Sequence, residues 1–341
     1  MEQIPKFHVI SSRADPPHTL YTVQGDNDKK AEYKYKDFEA LREKIAEKWP
    51  GIYVPGIEPK KAKTKNENGI TELRIAQLNR FCNKLGYIPY LFHSNEVSHF
   101  LKQDFHPSQE SYEDIANKYK TSFSDFNDTF DENSDEVQSH LKTFFQEVKN
   151  IKSTTLELLA MVSDLKQKEK KNKEMFMNTI EQFHIFEKDV LMSYVNNDCS
   201  QLVLFDMNND PLVTAIVAFF KEETNPYESF LNKLTEDLLD ENALLGAFDS
   251  LQNLKAMLLT KLNKAKPKNA NNSNEKTINA LKDIIRIATW HLDKETKKYN
   301  EQSIGNYSVE IEKMRHNFEY KNKMKNDILK AVLNDGKIKS V

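Results

Sequence analysis

The sequence predicts an α+β domain followed by an all-α domain of long helices. Residues 1–107 hold 8 of the 11 prolines and 5 of the 8 glycines. Because Pro and Gly interrupt helices and strands, this density favours a compact domain of short elements. Runs rich in Val, Ile, Tyr and Thr open this region, as strands do. By contrast, no proline or glycine occurs from Asp135 to Tyr194, which favours uninterrupted helix.

The first domain is predicted to contain a three-stranded antiparallel sheet and a helical subdomain. The strand-like runs cover residues 7–12, 19–24 and 31–36. A helix should follow, because apolar residues then recur at steps of three and four until Pro50; these are Phe38, Leu41, Ile45 and Trp49. Two further helices are marked by apolar residues between 73 and 85 and between 91 and 101.

Residues 108–134 are predicted to form an amphipathic linker helix. Aromatic and apolar residues fall at steps of three or four along residues 112–130 and make a single stripe. One interpretation is a helix lying in a membrane interface, but such helices usually carry Lys and Arg on the polar face. This one carries Glu and Asp, so docking of the stripe onto protein is favoured.

Residues 135–341 are predicted to form a helical dimerisation domain. Near-heptad apolar spacing marks one long helix over 135–194, and further helical tracts run over 211–266, with a kink at Pro226, and over 276–334, with Gly305 as a weak point. Helices of this length need to pack along one another and along a partner to bury their stripes. The pattern leaves homodimer and heterodimer open.

Several classes of function are disfavoured by composition. The net charge of −3 does not suggest a nucleic-acid binder, and the longest apolar run, residues 211–220, is too short to span a bilayer. The N-terminus does not resemble a signal peptide, and two distant cysteines imply no disulfide framework, as expected in a reducing cytosol. Nucleotide-binding, metalloprotease and hydrolase motifs are absent from the sequence. Cys82 is interpreted as a core thiol, and we expect no enzyme, cofactor or metal site.

A basic constellation in the first domain is the informative chemical signal. It comprises Lys34-Tyr35-Lys36, the stretch WPGIYVPGIEPKK ending in Lys60 and Lys61, and Arg74. Separated cations can converge on the phosphates of an inositol headgroup, where Arg binds bidentately and Lys acts as a point charge. A proline-rich loop is stiff before binding and can hold a lysine at low entropic cost. From these residues alone, the alternative is that the lysines form an ordinary solvent-exposed surface that binds no headgroup.

Four motifs in order resemble the phox-homology (PX) family over residues 5–105. YKYKDFEALREKI is similar to the family's RRYSDFxxLxxxL, and WPGIYVPGIEPKK to its PxLPPK loop. ELRIAQLNRFCNKL resembles the RxxxLNxFLxxL helix, and YLFHSNEVSHFL the closing segment. The resemblance implies a three-stranded sheet with a helical subdomain that binds phosphatidylinositol 3-phosphate.

The resemblance also implies roles for individual residues. Lys34 would meet the 3-phosphate, Tyr35 would stack on the inositol ring, and Arg74 would bind the 4- and 5-hydroxyls. Lys60 would contact the 1-phosphate, and Lys61 and Lys63 would approach an anionic membrane surface. Lys34 stands where the family usually has Arg, and Glu58 stands where proline is common and adds a negative charge.

The second half is similar to the BAR helices of PX-BAR sorting nexins. The match is carried by NPYESFLNKLTEDLLDENALLGAFDSLQNLKAMLLTKLNKAKPK and by TINALKDIIRIATWHLDKETKKYNE. It implies a crescent-shaped dimer that senses or shapes endosomal membrane in protein trafficking, from a cytoplasmic, peripheral location. Candidate membrane contacts are the tip-like cluster Lys261, Lys264, Lys266 and Lys268, and with less support the lysines of residues 166–173. The alternative function is a protein–protein adaptor with a degenerate lipid pocket.

Overall fold

The computed structural model describes residues 7–16, 18–25, 30–58, 67–102, 110–191, 227–265 and 272–338. Three strands come first: β1 (His8–Asp15), β2 (His18–Gln24) and β3 (Lys30–Tyr33). The helices of the first part are α1 (Tyr35–Lys48), α2 (Glu67–Gly86), α3 (Pro89–Phe92), α4 (Asn95–Lys102) and α5 (Tyr112–Ser122). The long helices are α6 (Asp135–Ile185), continued by a π-helical stretch over Phe186–Leu191, then α7 (Tyr227–Ala265) and α8 (Asn272–Ile338).

The three strands form one antiparallel sheet, as predicted, in the order β1-β2-β3. The third predicted run, residues 31–36, extends too far, because α1 begins at Tyr35. Alternate side chains of the strands are buried, because successive residues of a strand point to opposite faces; they include Val9, Tyr21, Val23, Ala31 and Tyr33. Helix α2 is fastened to β1 by the side chain of Asn79, which accepts from the Val9 N–H at 2.6 Å and donates to the Val9 carbonyl at 3.1 Å. The sheet and the helices therefore share one core.

The predicted single helix over residues 91–101 is wrong, because the structure divides this segment into α3 and α4. The backbone N–H of Ser94 donates to the Leu91 carbonyl, and the Ser94 hydroxyl accepts weakly from the Val97 N–H at 3.4 Å. Serine at such a position ends one helical turn and starts the next helix. Phe100 of α4 then stacks on Tyr33 of β3, with ring centroids 3.8 Å apart.

The prediction of one amphipathic helix across residues 108–134 is also wrong beyond Ser122. Helix α5 starts at a capping box, in which Ser111 and Asp114 exchange hydrogen bonds, and it ends where the Phe123 N–H bonds to the Tyr119 carbonyl. Residues 123–134 form turns instead. The Asn127 side chain accepts from the Thr129 N–H at 3.0 Å, and Asn and Asp compete with helix in this way.

The stripe on this segment docks onto protein, as favoured from its acidic polar face. Tyr119 is fully buried, its ring stacks on Trp49 at 5.4 Å, and its hydroxyl donates to the Pro50 carbonyl at 2.8 Å. Phe123 packs against His291 of α8, with ring centroids 5.0 Å apart. The stripe is thus part of the core.

The chain folds into two compact units, and each unit is built from two segments that are separated in the sequence. The first comprises residues 1–152 and 237–301, so it joins the sheet domain to parts of the three long helices. One hydrophobic core runs through it from Phe7 of the sheet domain to Leu251 of α7 and Ile284 of α8.

The second unit comprises residues 153–236 and 302–341. Its small core is built from Val162 of α6 and from Phe230 and Leu234 of α7. Ion pairs link its helices: Lys166 with Glu228 at 3.1 Å, and Lys321 with Glu169 at 3.3 Å. Helix α8 passes Gly305 without a break, so this predicted weak point does not interrupt it. The predicted kink at Pro226 lies outside the described residues.

Candidate functional site

Lys34 and Tyr35 lie at the junction between β3 and α1. The Lys34 backbone N–H donates to the Asp37 carboxylate at 2.7 Å, and the Asp37 N–H donates to the Lys34 carbonyl at 3.0 Å. This capping arrangement fixes the first turn of α1. Lys34 is the N-cap residue of α1 and is exposed, and a helix N-terminus favours an anion electrostatically.

Tyr35 is a core residue that also connects α1 to the proline-rich loop. Only 2% of its surface is exposed, and its hydroxyl donates to the Glu58 carbonyl at 2.7 Å. Burial raises the pKa of the Tyr35 phenol far above its ordinary value, and the negative charge of Glu58 adds to the rise. Because the ring is almost fully covered, it presents no open face to solvent.

Glu58 bonds the proline-rich loop to α2. Its carboxylate, in a residue only 8% exposed, accepts from the Arg80 guanidinium at 2.8 Å and from the Gln77 side-chain amide. Arg80 therefore balances the negative charge of Glu58, which from the sequence was expected to repel an anionic headgroup. A buried carboxylate with two donors is a specific link between the loop and the helix.

This role of Glu58 was missed from the sequence, although one signal was available. Gln77 and Arg80 are three residues apart on α2, so they share a face of the helix. Both can donate to a carboxylate. The spacing identifies two donors on one helix face. It does not identify Glu58 as their acceptor, because the loop lies about twenty residues earlier in the chain.

Arg74 lies on α2 one turn before Gln77, partly buried. Its positive charge is near enough to Tyr35 to oppose the rise of the phenol pKa. The structure thus brings together Lys34 and Tyr35 at the start of α1, Glu58 in the loop, and Arg74 on α2.

The remaining predicted site residues are either outside the described residues or on α7. Lys60, Lys61 and Lys63 lie outside the described residues, as do Lys266 and Lys268. Lys261 and Lys264 lie on the last turns of α7; the former is partly exposed, and the side chain of the latter is outside the described set.

The proline-rich loop also rests on the long helices. Gly51 has a φ of +82°, and a Cβ there would lie 3.0 Å from the Ala288 Cβ of α8. A Cβ at Gly56 would lie 2.8 Å from the Leu239 carbonyl oxygen of α7. The two glycines therefore permit a close approach of backbone to helix, which explains their place in the loop.

Two kinds of chemical site, a metal cluster and a reactive cysteine, are absent from the described part of the chain. No group of three or more His, Cys, Asp or Glu residues there could hold a metal ion. Cys82 is fully buried, and burial raises the pKa of its thiol, which keeps it protonated. Among the described helices, none has the length and apolarity needed to cross a bilayer.

Comparison with known proteins agrees with this architecture. Residues 21–104 match the family model of the PX domain. The chain is similar to the cryo-EM structure of the SNX-BAR Mvp1 tetramer with a TM-score of 0.57 and 15% identity, and the match covers 96% of this chain and 100% of that one. No curated protein matches the sequence. The chain therefore contains a PX domain and has the fold of a PX-BAR sorting nexin.

Proposed function

We propose that the protein is a peripheral membrane protein of vesicular trafficking that binds phosphatidylinositol 3-phosphate through its PX domain. The observation that carries this proposal is that Tyr35, the residue after Lys34, contacts Glu58 of the loop and lies within electrostatic reach of Arg74 on α2. An exposed lysine at a helix N-terminus and a nearby guanidinium are suited to a phosphorylated inositol. Lys60 would add a third cation from the loop that Glu58 anchors.

We further propose that the helices assemble two copies of the chain, or this chain and another BAR protein, to sense or shape endosomal membrane. Support comes from an exposed apolar row on α6, where Leu158, Met161 and Leu165 are 36%, 65% and 43% exposed. These residues follow steps of three and four, as in a helix-packing seam. The similar SNX-BAR Mvp1 structure is a tetramer, which also favours assembly of like chains.

A second candidate function is a protein–protein adaptor whose PX fold no longer binds lipid. The observation that favours it is the burial of Tyr35, which leaves no open ring face for an inositol. Lys34 in place of the family's usual Arg also gives up a bidentate contact with phosphate. Such an adaptor would reach membranes only through its partner.

Liposome flotation of the full chain with a panel of phosphoinositides separates the two functions. We expect preferential flotation with phosphatidylinositol 3-phosphate, and its loss in Arg74→Ala and Lys34→Ala. Lys142→Ala is a matched control, because Lys142 is an exposed lysine on α6. Equal flotation with charge-matched liposomes that lack the phosphoinositide would contradict lipid recognition and favour the adaptor.

A further inference from the structure

Asp240 lies on α7, far from the PX domain in sequence, and its carboxylate contacts two elements of that domain. One carboxylate oxygen accepts from the Tyr53 hydroxyl at 2.8 Å. Both oxygens accept from the Lys84 ammonium, at 2.8 and 2.7 Å. The side chains of Asp240 and Lys84 are 20% and 31% exposed, so the pair is shielded from most of the solvent screening that weakens surface ion pairs.

The two partners of Asp240 belong to the two elements that carry the candidate lipid residues. Tyr53 lies in the proline-rich loop, five residues before Glu58 and seven before Lys60. Lys84 lies on α2, the helix that carries Arg74. A single carboxylate of α7 therefore ties the loop to the helix at a second point, in addition to the bonds that Glu58 makes with Gln77 and Arg80.

The surrounding contacts show that this link is firm. Burial raises the pKa of the Tyr53 phenol well above its ordinary value, and the charge of Asp240 raises it further, so the phenol stays a hydrogen-bond donor. The residue before Asp240 is Leu239, whose carbonyl oxygen lies against Gly56. The loop is thus held against α7 at both Tyr53 and Gly56.

We propose that Asp240 is a positioning residue for the lipid site, an inference that rests on the proposed phosphoinositide binding. Asp240 is not one of the candidate headgroup residues; it holds Tyr53 of the loop and Lys84 of α2, the helix that carries Arg74, at a fixed distance from each other. A headgroup bound between two elements must order them if they are not already fixed, and this ordering weakens binding. A residue of the long helices thereby sets the lipid affinity of the PX domain.

The test compares Asp240→Asn with the wild-type full chain. Asparagine keeps the size and still accepts from Tyr53, but it cannot form the ion pair with Lys84. We expect affinity for vesicles that contain phosphatidylinositol 3-phosphate to fall by about three- to tenfold, with binding to charge-matched phosphatidylserine vesicles unchanged. Asp249→Asn is the matched control, since Asp249 is exposed on the same helix.

A double-mutant cycle tests whether the effect on binding passes through the ion pair between Asp240 and Lys84. Lys84→Met alone should weaken phosphoinositide binding as Asp240→Asn does, and the double variant should be little worse than either. If Asp240→Asn does not fold, Tyr53→Phe in the same assay decides the question, because it removes only one hydrogen bond.

Each outcome has a distinct meaning. A wild-type chain without preference for the phosphoinositide refutes the proposed function itself. A wild-type preference that Asp240→Asn and Tyr53→Phe both retain unchanged refutes the role of Asp240 alone. An equal loss of binding to both kinds of vesicle, with a lower melting temperature, refutes it too, because it shows general destabilisation.

Discussion

The Tyr35 hydroxyl donates a 2.7 Å hydrogen bond to the backbone carbonyl of Glu58. This contact joins the first turn of α1 to the proline-rich loop, and the Glu58 side chain then joins the loop to Arg80 of α2. The three elements of the candidate lipid site are thus held together by protein contacts before any ligand binds. Such prior order reduces the entropic cost of recognition.

Tyr35→Phe should lower the stability of the PX domain while the ring remains in place. The substitution leaves the Glu58 carbonyl without this donor in a buried environment, which costs about 1–3 kcal/mol. Urea denaturation followed by circular dichroism measures the change. Tyr87→Phe serves as control, because Tyr87 is 67% exposed; an equal effect of the two substitutions would contradict a special role for the Tyr35 hydroxyl.

Glu58→Gln should destabilise the chain more than loss of an exposed acid does. It replaces the carboxylate that pairs with the Arg80 guanidinium, whose side chain is 19% exposed, by a neutral amide, and loss of a hydrogen bond to a charged group costs about 1.5–3 kcal/mol. Chemical denaturation is again the measurement. Glu32→Gln is the control, because its partner Arg13 is exposed. If Glu58→Gln were neutral and improved lipid binding, the carboxylate would be a repulsive group and not an anchor.

The sequence patterns predicted those parts of the fold that depend on local periodicity. Runs rich in Val, Ile, Tyr and Thr located the strands, and the spacing of Phe38, Leu41 and Ile45 located α1, because burial of one helix face imposes this period. The end of α5 was missed, since Phe123 keeps the helical spacing but packs against His291. That contact joins positions far apart in the chain, and no local pattern encodes it.

The same limit applies to the candidate site. Motif order proposed Lys34, Tyr35 and Arg74 as candidates. It did not show that Glu58 bonds to Arg80, nor that Tyr53 reaches Asp240. Both contacts depend on how α2 and α7 cross the loop, which is a property of the tertiary structure.

Gly51→Ala should destabilise the contact between the loop and the long helices. Gly51 has a positive φ, and a Cβ would approach the Ala288 Cβ at 3.0 Å, so both strain and crowding oppose alanine. We expect a loss of about 1–3 kcal/mol, measured by thermal unfolding. Gly246→Ala is an informative control, because a Cβ at Gly246 on α7 meets nothing within 4 Å and should stabilise the helix by about 1 kcal/mol. Destabilisation by both substitutions would contradict the conclusion that the loss at Gly51 comes from its positive φ and its close approach to Ala288.

Glu241 should make the free energy of unfolding fall as pH rises from about 4.5 to about 7. Burial raises the pKa of this carboxyl from its ordinary 4.5 to about 7. Between these values the folded chain binds more protons than the unfolded chain, so stability decreases with increasing pH. The decrease is about 2 kcal/mol once partial solvent screening is allowed for.

Glu241→Gln removes this ionisation and gives the matched experiment. The variant should keep the hydrogen bond from the Tyr299 hydroxyl, which Glu241 accepts at 3.2 Å. Urea denaturation at several pH values should show that the variant gains stability relative to wild type as pH rises from 5 to 8. If the free energies of unfolding of the variant and the wild type differed by the same amount at every pH in this range, a raised pKa of the Glu241 carboxyl would be contradicted.

Met161→Glu together with Leu165→Glu should dissociate the proposed assembly of two chains. These residues belong to the exposed apolar row on α6, and burying a side chain of this size contributes about 1.5–3 kcal/mol. Loss of both contacts, with two charges added, should weaken association by more than about a hundredfold. Light scattering at micromolar concentration should then report the mass of one chain. Gln167→Glu adds one negative charge at an exposed polar position of α6 and should leave the mass unchanged, since Gln167 is not in the row. An unaltered mass in the double variant would show that association uses another surface.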